Sequence, residues 1–160
     1  MARATRIVAL PEDDYLVLIG QLAYTVSYIE WLIMGDLPGL EPRIPADLTV
    51  SALAGKSTGQ IAGRLAAAAS QIKDDSVRAY VEQAGQVLGE AAALRNDVLH
   101  ARPATHQDEG QRLYRWKAAD QRGAGRAFFI DTAWLEKAID QLSEALTALS
   151  STRVTGPGPQ

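Results

Sequence analysis

Asp75 to Pro103, DSVRAYVEQAGQVLGEAAALRNDVLHARP, is the stretch on which the fold turns. Val77, Val81, Ala84, Leu88, Ala91, Arg95 and Val98 recur at three- and four-residue steps, the period of one helix face. Asp75 or Ser76 can cap the start by accepting hydrogen bonds from the first free amides. Pro103 disfavours helical geometry at Arg102, so the helix is expected to end near His100 or Ala101. One member of the apolar stripe, Arg95, cannot shed its charge to be buried, and therefore needs an anionic partner or a wet cleft.

Working outward, a preceding helix is expected with Ser57 or Thr58 as cap, a stripe through Ile61, Leu65, Ala68, Ala69 and Ile72, and Lys73-Asp74-Asp75 as its end. An earlier one begins with Glu12, Asp13 and Asp14, whose charge suits a helix N-terminus, and carries Leu16, Ile19, Ala23, Val26, Ile29 and Ile33. Gly35 is expected to stop it, with Pro38, Pro42 and Pro45 making an irregular connector. After Pro103 the period changes. Arg112 to Lys117 and Gly125 to Asp131 alternate or are aromatic-rich, with Gln121, Arg122 and Gly123 between them, which predicts a small two-stranded flap. Asp131 or Thr132 then caps a final helix with Leu135, Ile139, Leu142, Leu146 and Leu149 on one face. The fold expected is all-α: an antiparallel four-helix bundle with a small irregular or hairpin insertion before the last helix. Residues 1–150 read as one domain, and 151–160, ending Gly-Pro-Gly-Pro-Gln, as a tail too poor in apolar surface to order itself.

Composition narrows the function classes. The 160 residues carry a net charge of -3, so no global basic field advertises nucleic-acid binding and any such site must be local. With no cysteine, a disulfide, a thiolate zinc site and a cysteine nucleophile are excluded, and the chain is compatible with a reducing cytosol. Tyr15 to Met34 is the longest apolar stretch, but Gln21, Thr25, Ser27 and Glu30 interrupt it, so it reads as a core helix and not as a membrane span. The apolar run Ile7 to Leu10 is too short for a signal peptide, and no export is expected.

Arg95, Asn96 and His100 concentrate the chemistry. Asn96 and His100 are four apart and share a helix face, so the amide can orient the imidazole or a substrate oxygen. His100 sits at the helix C-terminus, where the dipole favours the protonated ring. Arg and His there can also simply satisfy the last carbonyls. Taken with the order of helices, however, Arg-Asn-x-x-x-His at the end of the third long helix resembles the HEPN superfamily of helical ribonuclease domains, over roughly Asp13 to Ser150.

That resemblance implies a metal-independent endoribonuclease with no cofactor, whose site, Arg95, Asn96 and His100, is completed across a homodimer. It also implies a toxin-antitoxin or phage-defence setting, with RNA as substrate and an antitoxin or defence partner; the cytoplasmic location expected here follows from the missing export signal and cysteines. Some members are neutralised by modification of a tyrosine two residues beyond the histidine. Arg102 stands at that position here, which argues against that mode. The chemistry is self-consistent. The ribose 2′-hydroxyl can serve as nucleophile, leaving the protein to move protons through His100, hold phosphate through Arg95 and fix geometry through Asn96.

Between Arg95 and Arg126, Arg95, Arg102, Arg112, Arg115, Lys117, Arg122 and Arg126 outnumber Asp97, Asp108, Glu109 and Asp120. Tyr114 and Trp116 interleave the cations, which suits phosphate neutralisation with base stacking on single-stranded RNA. The same aromatics could instead pack inward from a solvated hairpin. Arg102, Arg112, Tyr114, Arg115, Trp116 and Lys117 are therefore the candidate substrate contacts, and Glu30 and Asp97 candidate supporting acids. Ala54-Gly55-Lys56-Ser57-Thr58 mimics the end of a phosphate-binding loop, but the motif's first glycine would fall at Val50 and no strand precedes it. His106 reads as a free loop histidine, and Trp31 and Trp134 as core or interface anchors. No metal site is expected. The rival to an enzyme is a non-catalytic helical dimerisation or interaction module whose Arg95 and His100 bind a partner carboxylate or a nucleotide phosphate; an inactive subunit of a larger complex is a third reading.

Overall fold

The structure is a computed structural model that describes residues 8–119 and 123–154. It is mostly helical, with one small antiparallel sheet. Helix α1 spans Asp13–Leu40; a 3₁₀ turn at Ala46–Leu48 and the short helix α2, Val50–Leu53, follow; then come α3, Thr58–Ala69, and α4, Asp75–Leu99. Three strands, β1 (Arg102–His106), β2 (Gly110–Lys117) and β3 (Arg126–Ile130), lead into α5, Thr132–Thr152. The architecture is thus helix-rich and mixed, and the expectation of an all-α chain is corrected by the sheet.

Helix α1 runs through Gly35 and Pro38, where a stop was expected. Ile33, Leu37 and Leu40 are almost wholly buried, and each such side chain gains about 1.5–3 kcal/mol on leaving water, which outweighs about 1 kcal/mol for a helical glycine and about 3 for proline. Pro38 and Gly39 face outward. By length and composition α1 could also cross a bilayer, while its Tyr15, Leu22, Val26, Ile29 and Ile33 belong to the core shared with α4 and α5. In the connector, Ile44, Leu48 and Leu53 turn inward and make it part of the same core.

Capping follows the sequence to within a residue. Ser57 accepts from the Gln60 amide while Gln60 Oε1 accepts from the Ser57 amide, a reciprocal box that starts α3. The cap of α4 is Asp74, one residue before those expected; its carboxylate takes the Ser76 and Val77 amides and is held below the usual aspartate range mainly by the Val77 bond. Asp131 caps α5 by accepting from the Trp134 amide. Helices α3 and α4 approach closely at Gly85, where a Cβ would stand 3.0 Å from the Ala66 amide nitrogen and 3.3 Å from the Ala62 carbonyl oxygen.

The predicted two-stranded flap is a three-stranded sheet in the order β1-β2-β3. Its extra member, RPATH, has no apolar alternation of its own and is made a strand by pairing with β2, Arg102 opposite Tyr114 and His106 opposite Gly110. His106 is accordingly not a free loop residue: its Nδ1 accepts from the Asp108 and Glu109 amides and closes the turn, whose Gly110 has a positive φ of 71°. Gln121 and Arg122, expected between the last two strands, lie outside the described residues.

Two polar knots fasten these parts. Tyr15 Oη donates to the Ile130 carbonyl at 2.6 Å and accepts from the Leu113 amide at 3.1 Å, while the Arg112 guanidinium lies 4.4 Å above its ring. At the other end, Asp36 accepts from Tyr80 and from Arg153. Burial, with the Asp36 bond, pushes the Tyr80 hydroxyl upward. This corrects the expected tail: Ser151 and Thr152 finish α5 and Arg153 is paired, whereas 155–160 lies outside the described residues.

Candidate functional site

Five residues along an α-helix turn through about 500°, leaving Arg95 and His100 about 140° apart around α4. They line different clefts. Arg95 faces α1 and the start of α3, where its Nη1 donates to Thr58 Oγ1 at 2.9 Å and Thr58 in turn donates to Glu30 Oε2 at 2.5 Å. Glu30, Trp31, Lys56, Thr58 and Arg95 border a cleft of about 530 Å³. Arg95 Nε is buried there without an acceptor. Glu30 thus meets the motif arginine through Thr58, a residue the sequence offered as a helix cap or as the end of an incomplete phosphate loop.

His100, the C-cap of α4, is exposed at a second cleft of about 990 Å³ together with Arg102, Tyr114, Arg115, Trp116 and Lys117. Its amide donates to the Asn96 carbonyl at 3.0 Å. Asn96 is exposed on the preceding turn, so the motif's amide and imidazole share one side of the helix while its guanidinium does not. Within one copy, then, Arg95, Asn96 and His100 do not form a single centre.

The sheet builds the second cleft by alternation. Leu113, Phe128 and Ile130 pack on the core, and between them Arg115 and Lys117 reach Asp97 of α4 at 3.3 and 2.6 Å. The opposite parity turns outward: Arg102 is exposed, and Tyr114 and Trp116 are 37% and 65% exposed, which excludes packing of Trp116 into the core. Asp97 therefore supports the cleft by neutralising and anchoring two of its cations. Arg102 has no carboxylate partner among the described residues.

Arg112 is the candidate contact that the structure removes. It is 5% exposed and hydrogen-bonded to Glu12 at 2.7 and 3.0 Å and to Glu109 at 2.7 Å, so no edge of it is left for a substrate. The Arg112 bond holds Glu12 well below the carboxylate range, at about 2, and lowers Glu109 as well.

No family model, curated protein or solved structure matches the chain. Trp31, expected as an anchor, is 69% exposed and stands between the Arg95 cleft and an outward patch with Tyr24 and Tyr28 on α1. Trp134 lies alongside Phe128, with ring centroids 6.2 Å apart. Among the described residues no group of three or more His, Asp or Glu side chains is placed to hold a metal ion. Lys56 was legible only as part of an incomplete phosphate loop, and Thr58 as part of that loop or as a helix cap, because nothing in their spacing announces that the chain folds them against Arg95.

Proposed function

We propose that this protein is an endoribonuclease of the HEPN type, with α1, α3, α4 and α5 as its four-helix framework and His100 as the group that moves protons. The observation that carries the reading is the shared cleft of His100, Arg102, Tyr114 and Trp116. An imidazole can take up and give back a proton, a guanidinium grips phosphate oxygens, and exposed aromatic faces accept unstacked bases. RNA lying across the sheet would bring a ribose 2′-hydroxyl and its phosphate to His100. The hydroxyl oxygen attacks phosphorus as its proton passes to the ring, the bond to the 5′-oxygen of the next nucleotide breaks, and the products are a 2′,3′-cyclic phosphate and a 5′-hydroxyl. None of these steps calls on a metal or an organic cofactor.

A single chain supplies one His100, whereas the departing 5′-oxygen also needs an acid. A two-fold homodimer would bring a second His100 and could set the Arg95 of one copy against the phosphate held by the other. Toxin or defence activity in the cytoplasm, under the control of an antitoxin or another partner, fits such an enzyme. The test is a mixed RNA pool in EDTA with wild type, Arg95→Ala and His100→Ala. Cleavage by wild type alone, ending in cyclic phosphates, is expected; equal cleavage by all three would discard the assignment.

The interaction-module reading is favoured by a different feature. Val17, Tyr24, Tyr28 and Trp31 leave one side of α1 aromatic and exposed, as a docking helix would be. Intact RNA with retained binding to it would give that reading the lead.

A further inference from the structure

We propose that two copies of the chain pair through the outward side of α1, antiparallel, about a two-fold axis passing between Thr25 and Val26. This gives the homodimer a surface, and it does not rest on RNA cleavage. Val17, Gly20, Tyr24, Ser27 and Trp31 are all exposed and follow one another at steps of three and four residues, the seam of a paired helix. Large side chains alternate along it with small ones. From Leu16 to Gly35 the helix has one charged residue, Glu30, whereas the water-facing side of a lone surface helix is ordinarily charged or polar.

Gly20 points to an occupant from outside the chain. Glycine weakens a helix interior relative to alanine, yet a Cβ at Gly20 would meet nothing within 4 Å and its φ is not positive. Nothing inside the chain therefore calls for the missing side chain, whereas a second α1 does. Run antiparallel, Trp31 of one copy meets the partner's Gly20, and Tyr24 meets the partner's Ser27, so each large side chain finds a gap. A parallel pair would set Tyr24 on Tyr24 and Trp31 on Trp31. The same register puts Glu30 opposite the partner's Gln21, whose amide can donate to the carboxylate, and it opposes the two helix dipoles. The area suits a dimer as well. Leu16, Val17, Tyr24, Tyr28 and Trp31 together leave roughly 600 Å² of side chain in water. Two such faces, with the backbone between the side chains, reach the roughly 1,200–2,000 Å² of a stable specific interface.

Sedimentation velocity tests the pairing. Wild type should be a dimer at about 10 µM, within the range that interfaces of this size reach. Trp31→Ala should weaken the dimer at least about tenfold. Gly20→Leu should weaken it as much, although leucine favours a helix over glycine and meets open space in a single copy, so the variant should keep its helical circular dichroism and a cooperative melt. The chain has no cysteine, so single introduced ones report the direction of pairing. At a rise of about 1.5 Å per residue, Ser27 and the partner's Ser27 stand about 4.5 Å apart along the axis, and the two copies of Asp14 about 35 Å. A short bismaleimide should therefore link Ser27→Cys and not Asp14→Cys, whereas a parallel pair would link both. Wild type that stays monomeric at about 100 µM gives the face to another occupant and overturns the proposal. A dimer that tolerates either Trp31→Ala or Gly20→Leu, or that links through Asp14→Cys, overturns it too and leaves the ribonuclease reading standing, since none of these measurements reads RNA.

Discussion

Asp97, 5% exposed on α4, takes the Lys117 ammonium at 2.6 Å and so pins β2 to the helix that ends at His100. The same carboxylate holds Arg115, and the pairing fixes where the aromatic face of the sheet stands relative to the histidine. Breaking a fully buried pair costs about 3–5 kcal/mol. Arg115 and Lys117 are 20% and 31% exposed and can turn toward water, so Asp97→Ala should lose a smaller amount, about 1–3 kcal/mol, in urea denaturation. Because two cations are released into the cleft, the milder Asp97→Asn should also bind RNA more tightly at low salt, in a filter-binding or anisotropy titration.

Trp116→Ala separates RNA contact from folding. The ring is 65% exposed, so the melting temperature should stay within a degree or two, whereas removing a stacked base partner should weaken single-stranded RNA binding by about 1–3 kcal/mol, or roughly five- to 150-fold. A variant that binds RNA as well as wild type would take the sheet out of the substrate path.

Gly85→Ala tests the closest helix contact. Alanine is intrinsically better in a helix by about 1 kcal/mol, yet its methyl would press on the backbone of Ala62 and Ala66. Backbone cannot move aside as a side-chain tip can, so the net effect should be a loss of about 1–3 kcal/mol. A gain in stability would show that α3 and α4 have slack at this crossing.

Acid should loosen the sheet and the first turn of α1 together. Glu12 and Glu109 sit below the ordinary 4.5 when folded, Glu12 at about 2, because the Arg112 guanidinium hydrogen-bonds their ionised forms. The unfolded chain therefore binds more protons across that interval, and stability contributed by the pairs is complete above pH 4.5 and is lost as pH falls toward about 2. Melting curves at successive pH values should drop more steeply in this window for wild type than for Glu12→Gln, and parallel profiles would remove Glu12 from the account.

Much of this was written in local sequence. The stripes of α4 and α5, that of α3 as far as Ala69, and the polar caps that start these helices lie within a residue or so of where periodicity puts them, because a 3.6-residue repeat of apolar side chains can be buried in only one way; Ile72, expected to close the α3 stripe, is buried from the turn beyond the helix. The alternation of β2 and β3 was equally plain, and it was also local. What the sequence could not decide were outcomes set by partners far along the chain. Pro38 stays helical because Leu37 and Leu40 find a core, RPATH becomes a strand because β2 offers it hydrogen bonds, and Arg112 is withdrawn from solvent by a carboxylate a hundred residues away. The division of the Arg-Asn-x-x-x-His motif is of the same kind. Its spacing determined that Arg95 and His100 point about 140° apart, while only the packing of α1 and α3 on one side of α4, and of the sheet at its end, gave each of them a separate cleft. Burial energy is summed over the whole fold, and no window of sequence contains that sum.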